Sequence, residues 1–528
     1  MKKCVWILPL ILIILFSFRD SGSVLSKEAT TDIEGPQPKL IRGPYLQVAT
    51  TTSMMVRWRT NTAERGVVRY GINKDSLNSI VESTQLTTEH ILTIPGLIPA
   101  TKYYYSIGGL THKLQGDSSN YFITLPLQGS EGKYRIGAFG DCGNNSVNQK
   151  SIITEFVKYL GNDYMDSWIL LGDNAYESGT DAEYQENFFE IFQEDFLKRF
   201  PLFPAPGNHD YRDIDKYRGK ASLGQELAYF KNFSMPVNGE SGGIPSGNPA
   251  YYSFDIGNVH FLSLDSYGRE DSAFRMYDTL SRQVEWIKKD LEANKNKTWV
   301  VAYWHHPPFT MGSHNSDKEN ELVKIRENFI RILERYGVDL ILCGHSHSYE
   351  RSKLMKGHYG AEPTFDQNKH IIDKSSAKYN NESNSCPYIK TSSNEGTVYV
   401  VSGSAGKIDS RTQTTYPHDA MYFSNAINGG ALMLEVEANR MDVKWIGADG
   451  EIRDAFTMMK EVNKKTSIRI KKGQTARLTA SFVGEYIWNK DKNKGRTILV
   501  SPSVGKHIYK VKDQFKCIED EFEVIVTR

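Results

Sequence analysis

Five short polar clusters lie between residues 141 and 347 of the 528-residue chain, and their residue types suit metal binding. Two hard cations held about 3.5 to 4 Å apart need a carboxylate that bridges them, terminal oxygen and imidazole ligands, and open positions for water and a phosphate. Any single cluster is weak evidence, but the five together supply each of these ligand types. In chain order they are Asp141-Cys142-Gly143, Gly172-Asp173-Asn174-Ala175-Tyr176, Gly207-Asn208-His209-Asp210, His305-His306 and Gly344-His345-Ser346-His347.

The surrounding sequence predicts an α/β core that brings these clusters to one edge. From about residue 132 to residue 460, short apolar runs alternate with segments whose apolar residues recur every three or four positions. Four clusters lie at or just past the end of an apolar run, and the Asn208 cluster follows the short run 200–203. Ligand sites of open α/β sheets collect at the carboxyl ends of strands, so we expect the clusters to share one rim. The predicted strands include 134–140, 168–171, 299–304 and 338–343, and the predicted helices are 147–160, 181–199, 279–294 and 317–336.

Segments on both sides of this core alternate apolar and polar residues in short steps, which indicates antiparallel β-structure. Residues 40–127 predict a small sandwich, and the passage 94–103 resembles the corner before the sixth strand of fibronectin type III modules. Residues 464–528 alternate again and resemble an immunoglobulin-like module of exported bacterial proteins, with a late Cys517. We therefore expect three folded domains, at 40–127, 132–460 and 464–528.

The first 23 residues differ in composition from the rest of the chain. Two lysines precede a mostly apolar run of 14 residues from Val5 to Phe18, and small polar residues follow. This pattern predicts a secretory signal peptide, and with it a secreted, periplasmic or cell-surface protein. The apolar run is short for a membrane-spanning helix, which needs about 20 residues, and an uncleaved anchor is the alternative. The formal net charge of +1 lacks the basic surplus of a nucleic-acid-binding domain, so no nucleic-acid partner is expected.

Four cysteines follow the predicted signal peptide, which is too few for a disulfide framework. Cys142 and Cys343 lie within or next to the polar clusters and could be metal ligands. Both follow apolar runs, where cysteine commonly packs as a small hydrophobic residue, and we favour that interpretation. The pairing of Cys386 and Cys517 stays open.

The five clusters, in this order and spacing, resemble the motif series of purple acid phosphatases, a branch of the calcineurin-like metallophosphoesterases. The match runs over roughly 330 residues, and a preceding sandwich domain is the arrangement of the larger family members. The resemblance implies a four-layer α/β/β/α core and a dinuclear metal centre, with Fe(III) at one site and divalent Zn, Fe or Mn at the other. A phenolate ligand suits Fe(III), whereas an amide oxygen and two imidazoles suit a divalent ion. The resemblance assigns Asp141, Tyr176 and His347 to the first metal, Asn208, His305 and His345 to the second, and Asp173 to both as the bridge.

The tandem His305-His306 offers two candidate ligands. Family members leave one residue between the ligand histidine and a proline, and His305-His306-Pro307 has that spacing. The resemblance therefore implies His305 as the ligand, and we expect His306 to pack against a neighbour or orient it.

Three further residues are expected to act on the substrate. His209 follows Asn208 directly, and adjacent side chains on extended backbone point apart, so both are not expected to bind one ion. The family places the equivalent histidine near the substrate, and we expect His209 to donate a hydrogen bond or a proton to it, held in place by Asp210. His314 lies close to where family members have another substrate-contacting histidine, and the alternative is a solvated loop residue.

The implied reaction is direct hydrolysis of a small phosphate monoester, in which hydroxide attacks phosphorus without a covalent phosphoenzyme. Two alternatives stay open: a phosphoesterase acting on diesters, nucleotides or pyrophosphates, and a surface binding or adhesive protein with a vestigial site. Tyr176 favours the monoesterase, because many relatives with other activities carry a different residue there. All seven ligand positions hold suitable residue types, which argues against the vestigial site. The natural substrate and the oligomeric state are not predicted.

Overall fold

A computed structural model describes residues 38–212, 226–268, 275–392, 394–490 and 494–528. The predicted signal peptide at 1–23 lies outside these residues. None of the helices in the described ranges has the length and apolar character needed to cross a membrane.

The N-terminal part of the described chain is all-β, as predicted. A long second strand pairs antiparallel with the first, third and fourth strands, and the fourth also pairs with the two short strands that follow. The second strand buries apolar residues that include Val56 and Trp58. The strands are β1 (Leu40–Gln47), β2 (Met54–Gly71), β3 (Ser79–Ile94), β4 (Lys102–Gly108), β5 (Lys113–Gln115) and β6 (Tyr121–Ile123). The fibronectin type III assignment of this segment stays a prediction.

The core contains two seven-stranded sheets and one small two-stranded sheet. Its strands, in chain order, are β7 (Lys133–Phe139), β8 (Ser167–Leu171), β9 (Leu202–Ala205), β10 (Tyr252–Ile256), β11 (Val259–Ser263), β12 (Trp299–Tyr303), β13 (Leu340–Cys343), β14 (Tyr349–Ser352), β15 (Leu354–Met355), β16 (Ile371–Asp373), β17 (Tyr388–Lys390), β18 (Val398–Ser402), β19 (Met421–Asn425), β20 (Gly430–Glu437), β21 (Arg440–Gly447) and β22 (Ile452–Lys460). The first large sheet has the order β17-β22-β21-β20-β7-β8-β9, and the second has the order β10-β11-β12-β13-β18-β14-β19. Each contains a parallel run, β7-β8-β9 in the first and β11-β12-β13-β18 in the second.

Two helices of the core begin at serine residues that cap them. Ser146 accepts a hydrogen bond from the Gln149 amide at the start of the first helix, and Ser281 caps the fifth in the same way. The α-helices are α1 (Val147–Leu160), α2 (Asp181–Tyr184), α3 (Glu190–Phe192), α4 (Ala228–Asn232), α5 (Arg282–Ala293), α6 (Asn320–Lys324), α7 (Ile330–Tyr336) and α8 (Gln367–His370). The segments Gln185–Phe189, Gln193–Leu197 and Ile325–Phe329 are π-helical, and His209–Tyr211 and Glu362–Thr364 are 3₁₀-helical. All four predicted helical regions are confirmed, and two of them contain π-helical turns that the periodicity did not predict.

The two large sheets face each other and carry helices on their outer sides. Apolar residues of both sheets share one buried cluster, which also holds Ile152 and Phe156 of α1. The other face of the second sheet packs against α5 and α7 in a separate cluster, through residues such as Ile287 and Leu333. This layering agrees with the predicted α/β/β/α core.

The C-terminal residues form two further sheets. A four-stranded sheet has the order β23-β28-β27-β25, and a two-stranded sheet pairs β24 with β26. A disulfide between Cys386 and Cys517 joins this region to the core. The strands are β23 (Lys465–Lys471), β24 (Ala476–Thr479), β25 (Ile487–Trp488), β26 (Thr497–Val500), β27 (Gly505–Lys512) and β28 (Glu519–Thr527). The immunoglobulin-like assignment and the three domain limits stay predictions.

Candidate metal centre

The predicted ligands follow strands whose carboxyl ends meet at one rim. Asp141 comes after β7, Asp173 and Tyr176 after β8, and Asn208 after β9, so three neighbouring parallel strands supply the first set. The histidines come after β12 and β13, which are parallel neighbours in the second sheet. The expected location at strand ends is therefore found in both sheets.

The backbone at three of these positions is strained. Asp141, Asp173 and His345 have φ angles of 55°, 53° and 69°, in the left-handed region that residues other than glycine seldom occupy. Such strain concentrates at functional sites, where it is offset by the surrounding structure. Gly207 allows the Asn208 loop to approach closely, because a Cβ atom at this residue would lie 2.2 Å from the Asp173 amide nitrogen.

One half of the centre is built from oxygen atoms around Tyr176. The phenol oxygen lies 2.9 Å from Asp141 Oδ1, 3.1 Å from Asp173 Oδ2 and 3.4 Å from His347 Nε2. Asp141, Asp173 and Tyr176 are all buried. Burial and the two adjacent carboxylates raise the pKa of Tyr176 above its ordinary value. Two buried carboxylates beside a phenol are a strongly donating set that suits a trivalent cation.

The other half is built around His305. Its Nε2 atom lies 3.1 Å from Asn208 Oδ1 and 3.2 Å from His345 Nδ1. Its Nδ1–H donates to the Leu171 carbonyl at 3.0 Å, which leaves Nε2 as the free ligand atom. Two ligand atoms each about 2.1 Å from one metal ion lie about 3.0 to 3.4 Å apart, so these separations fit ligands of a shared ion.

Asp173 connects the two halves through a single atom. Its Oδ2 lies 3.1 Å from the Tyr176 oxygen and 3.3 Å from His305 Nε2. One ligand atom from each of Asp141, Asp173 and His305 falls within 4.8 Å of the others. The donor set therefore fits a pair of cations with Asp173 between them.

His306 also lies in this group, but its ring is engaged elsewhere. His306 Nδ1 is 2.9 Å from the Ser266 hydroxyl, and the ring stacks on Tyr267. One ring nitrogen still lies within 4.8 Å of ligand atoms of His305 and His345. The contacts of His305 with both Asn208 and Asp173 support it as the ligand of the pair.

His209 faces the centre without joining the ligand set. Its Nδ1 lies 2.6 Å from the Glu177 carbonyl, and its Nε2 lies 3.8 Å from Asp173 Oδ2. Its backbone amide donates to Asp173 Oδ1 at 2.8 Å. The imidazole therefore presents Nε2 towards the shared carboxylate.

The expectation that Asp210 holds His209 is wrong. The buried Asp210 carboxylate accepts hydrogen bonds from the Gly207 amide at 2.7 Å, from Asn174 and from the Tyr184 hydroxyl at 2.5 Å. Burial and the nearby Asp173 raise the pKa of Asp210 to about 7. His209 and Asp210 lie in a 3₁₀ turn over His209–Tyr211, and the Asp210 carboxylate links the loops after β8 and β9.

His314 is brought to the centre, together with a residue that the sequence did not indicate. The His314 ring lies 3.7 Å from the His345 ring, centroid to centroid, and its Nδ1 is 3.0 Å from Glu319 Oε1. Glu319 Oε2 is also 3.2 Å from His345 Nε2. The side chains of His314 and Glu319 are about one-third exposed, so His314 is not a solvated loop residue without partners. Glu319 precedes α6 in a loop and carries no motif that could have identified it.

A lysine that sequence reasoning missed lies over the predicted tyrosine ligand. Lys407 Nζ is 3.8 Å from the centre of the Tyr176 ring and 2.7 Å from Glu177 Oε1. Lys407 belongs to the loop that follows β18, a parallel neighbour of β13. The position of Lys407 after a strand was the only sequence signal for it, because the carboxyl end of β18 lies at the same rim as that of β13.

Comparison with known proteins finds a matching family model for each of two segments. The model of calcineurin-like phosphoesterases matches residues 134–349, and the model of the purple acid phosphatase N-terminal domain matches residues 41–124. The predicted resemblance is confirmed by these matches.

Among curated proteins, the chain is similar to purple acid phosphatase 15 of Arabidopsis thaliana, with 31% identity over 288 residues. This match covers 50% of the chain and 49% of the relative, so the chain spans about half of that protein's length. The human acid phosphatase type 7 is 25% identical over 331 residues, covering 57% of the chain and 67% of the relative. A solved purple acid phosphatase from yellow lupin (Lupinus luteus) seeds shares the fold, with a TM-score of 0.60 at 18% identity, over 80% of this chain and 74% of that one.

Proposed function

We propose that this chain, which joins a purple acid phosphatase N-terminal domain to a calcineurin-like phosphoesterase domain, is a metal-dependent acid phosphatase that hydrolyses phosphate monoesters. The observation that carries the proposal is the position of Asp173 Oδ2, 3.1 Å from the Tyr176 oxygen and 3.3 Å from His305 Nε2. A carboxylate shared by an oxygen-rich half and an imidazole-rich half suits two unlike cations.

The proposed first site holds Fe(III) through Asp141, Tyr176, His347 and Asp173. When bound, the two cations supply positive charge for the phosphoryl oxygens and make water acidic enough to act as a nucleophile near neutral pH. The proposed second site holds Zn, Fe or Mn in the divalent state through Asn208, His305, His345 and the shared Asp173.

Residues around this set would orient and protonate the substrate. His209 Nε2 faces the centre while Nδ1 contacts the Glu177 carbonyl, so a protonated His209 imidazolium would donate a hydrogen bond or a proton from Nε2 to the ester oxygen. His314, held by Glu319, would donate to a phosphoryl oxygen beside His345. The buried ligands keep bulk water from one side of the centre, which strengthens these interactions.

The alternatives predict different substrates or a broken site. Comparing 4-nitrophenyl phosphate with bis(4-nitrophenyl) phosphate separates a monoesterase from a diesterase, and we expect a clear preference for the monoester. A binding protein with a vestigial site is disfavoured, because all seven ligand positions carry donor side chains that converge. Export through the segment at 1–23 is part of the proposal and is tested by N-terminal sequencing of the protein recovered outside the cell.

The metal assignment is tested by metal analysis and a visible spectrum of the purified protein. We expect iron in the protein and a broad phenolate-to-Fe(III) absorption band, which the Tyr176→Phe substitution abolishes because no other proposed ligand is a phenol. Tyr252→Phe is the matched control, since Tyr252 is also a buried tyrosine, but its hydroxyl donates to the Pro204 carbonyl and it is not a proposed ligand. An active, colourless and iron-free enzyme would overturn the Fe(III) site.

A further inference from the structure

A cleft of about 520 Å³ opens directly beside the proposed first metal site. His347 forms part of its wall, and the rest comes from the start of α1 and from the loop after β18. This volume lies within the usual range of small-molecule sites, about 300 to 1,000 Å³. The lining residues are Asn144, Ser146, Asn148, His347, Gly406, Lys407, Ile408, Asp409 and Arg411.

The loop that lines the cleft is hydrogen-bonded to the backbone of two proposed metal ligands. The Lys407 amide donates to the Asp141 carbonyl at 3.1 Å, and the Asp409 amide donates to the His347 carbonyl at 3.3 Å. The Ser146 hydroxyl donates to the Gly406 carbonyl at 3.0 Å, which joins the two walls. A group bound in the cleft would therefore have a defined position relative to a phosphate at the centre.

Two cationic side chains lie along this cleft. Lys407 is held between the Tyr176 ring and Glu177, as described above. The Arg411 side chain is 89% exposed, and its Nε and Nη2 atoms donate to the two Asp409 carboxylate oxygens at 2.9 Å and 2.7 Å. This two-point contact orients the guanidinium and leaves the N–H groups of Nη1 on the solvent side of the pair.

We propose that the cleft receives the leaving group of the substrate, and that Lys407 and Arg411 select monoesters whose leaving group carries a second anionic group, either a carboxylate or a second phosphate. This inference rests on the proposed function, because it needs a phosphate ester at the adjacent centre. Asn144, Ser146 and Asn148 also line the cleft, and the hydrogen bonds of Ser146 and Asn148 to the Gly406 carbonyl hold the loop that carries Lys407.

Arg411 is the better probe of the two, since Lys407 contacts the proposed ligand Tyr176. The test measures kcat/KM for 4-carboxyphenyl phosphate, 4-phosphonophenyl phosphate and the uncharged isostere 4-carbamoylphenyl phosphate. We expect the wild type to prefer the two anionic esters, and Arg411→Gln to reduce that preference about three- to fivefold, the range for a solvent-exposed ion pair. Added salt should weaken the preference, because the Arg411 side chain is exposed to solvent. The two anionic esters distinguish carboxylate from phosphate recognition.

Arg453→Gln is the matched control, because Arg453 makes a similar two-point contact with Asp449, and neither residue lines the cleft. It should leave the preference unchanged. Hydrolysis of all three esters with no loss of preference in Arg411→Gln would overturn the assignment of the cleft and leave the phosphatase proposal intact. Absence of hydrolysis of every ester by the metal-loaded wild type would instead overturn the proposed function.

Discussion

Individual side chains in the centre differ in whether they point at the shared Asp173 or brace the loops around it. His209 and Asp210 are neighbours in sequence, yet one presents Nε2 to Asp173 and the other binds Asn174 and Tyr184. The division matters for the proposed mechanism, because only His209 directs a ring nitrogen towards Asp173. Asp210 instead keeps the loops after β8 and β9 at the spacing that the ligands need.

We predict that His209→Ala lowers kcat about a hundredfold for an alkyl phosphate, within the usual range for loss of a general acid. The loss should be much smaller for 4-nitrophenyl phosphate, whose leaving group needs little protonation. Steady-state kinetics on both esters, with metal content measured in parallel as a control for the ligand set, check this. Equal losses on the two esters would contradict a proton-donor role.

Strands and helices in the core are tied together by a buried ionic group away from the metal centre. His260 of β11 lies between Asp255 of β10, at 2.8 Å from Nδ1, and Asp290 of α5, at 2.6 Å from Nε2. All three side chains are buried, and Lys297 approaches Asp255 at 2.7 Å. Because both ring nitrogens face carboxylates, His260 is held as an imidazolium that joins two strands and a helix.

The free energy of unfolding should therefore depend on pH through His260. Burial by itself lowers the pKa of His260, but the hydrogen bonds to Asp255 and Asp290 outweigh it and raise the pKa to about 9. Since the folded pKa exceeds the unfolded value of about 6.5, the contribution is complete below pH 6.5 and is lost as the pH rises through 9. Urea unfolding at pH 6 and pH 9.5 should show a loss of up to about 3 kcal/mol in the wild type that is absent in His260→Gln. The same loss of unfolding free energy in the wild type and in His260→Gln would contradict the proposed role of His260.

The molecule as a whole is held together by a few long-range links between its sheets. Arg351 of β14 and Asp454 of β22 are fully buried and join the two large sheets, with distances of 2.5 Å and 2.9 Å between their charged atoms. Arg42 of β1 reaches the core at Asp181, 3.0 Å away, and at Asn232. The disulfide between Cys386 and Cys517 spans 131 residues and covalently joins the core to the C-terminal sheets.

Removal of this disulfide should destabilise the protein. A link that closes a long loop reduces the entropy of the unfolded chain, and loss of a native disulfide typically costs about 2 to 5 kcal/mol. We expect a lower melting temperature for the Cys386→Ser, Cys517→Ser double variant, and for the wild type in a reducing agent. The reducing agent should not change the melting temperature of the double variant, because Cys142 and Cys343 are buried thiols that form no disulfide. A lower melting temperature of the double variant in the reducing agent would contradict the assignment of the disulfide to Cys386 and Cys517.

Much of the centre follows from local sequence patterns. The apolar runs and the three-to-four-residue periodicity define β7, β8, β12, β13 and α1, because burial on one face requires those spacings. The polar residues after these strands then meet at a rim, since parallel strands end on the same side. The disulfide partners could not be chosen from sequence, because four cysteines can pair in more than one way.

Other features depend on contacts between residues far apart in the chain. Lys407 contacts Tyr176 because the loop after β18 lies beside the end of β13, and Glu319 contacts His345 from the residue before α6; neither carries a local motif. Likewise, the loop conformation at His209–Tyr211, and not residue type, decides that Asp210 faces Asn174. Side-chain direction in a loop is set by packing from both flanking sheets, so residue types alone could propose the ligands but not the groups that surround and support them.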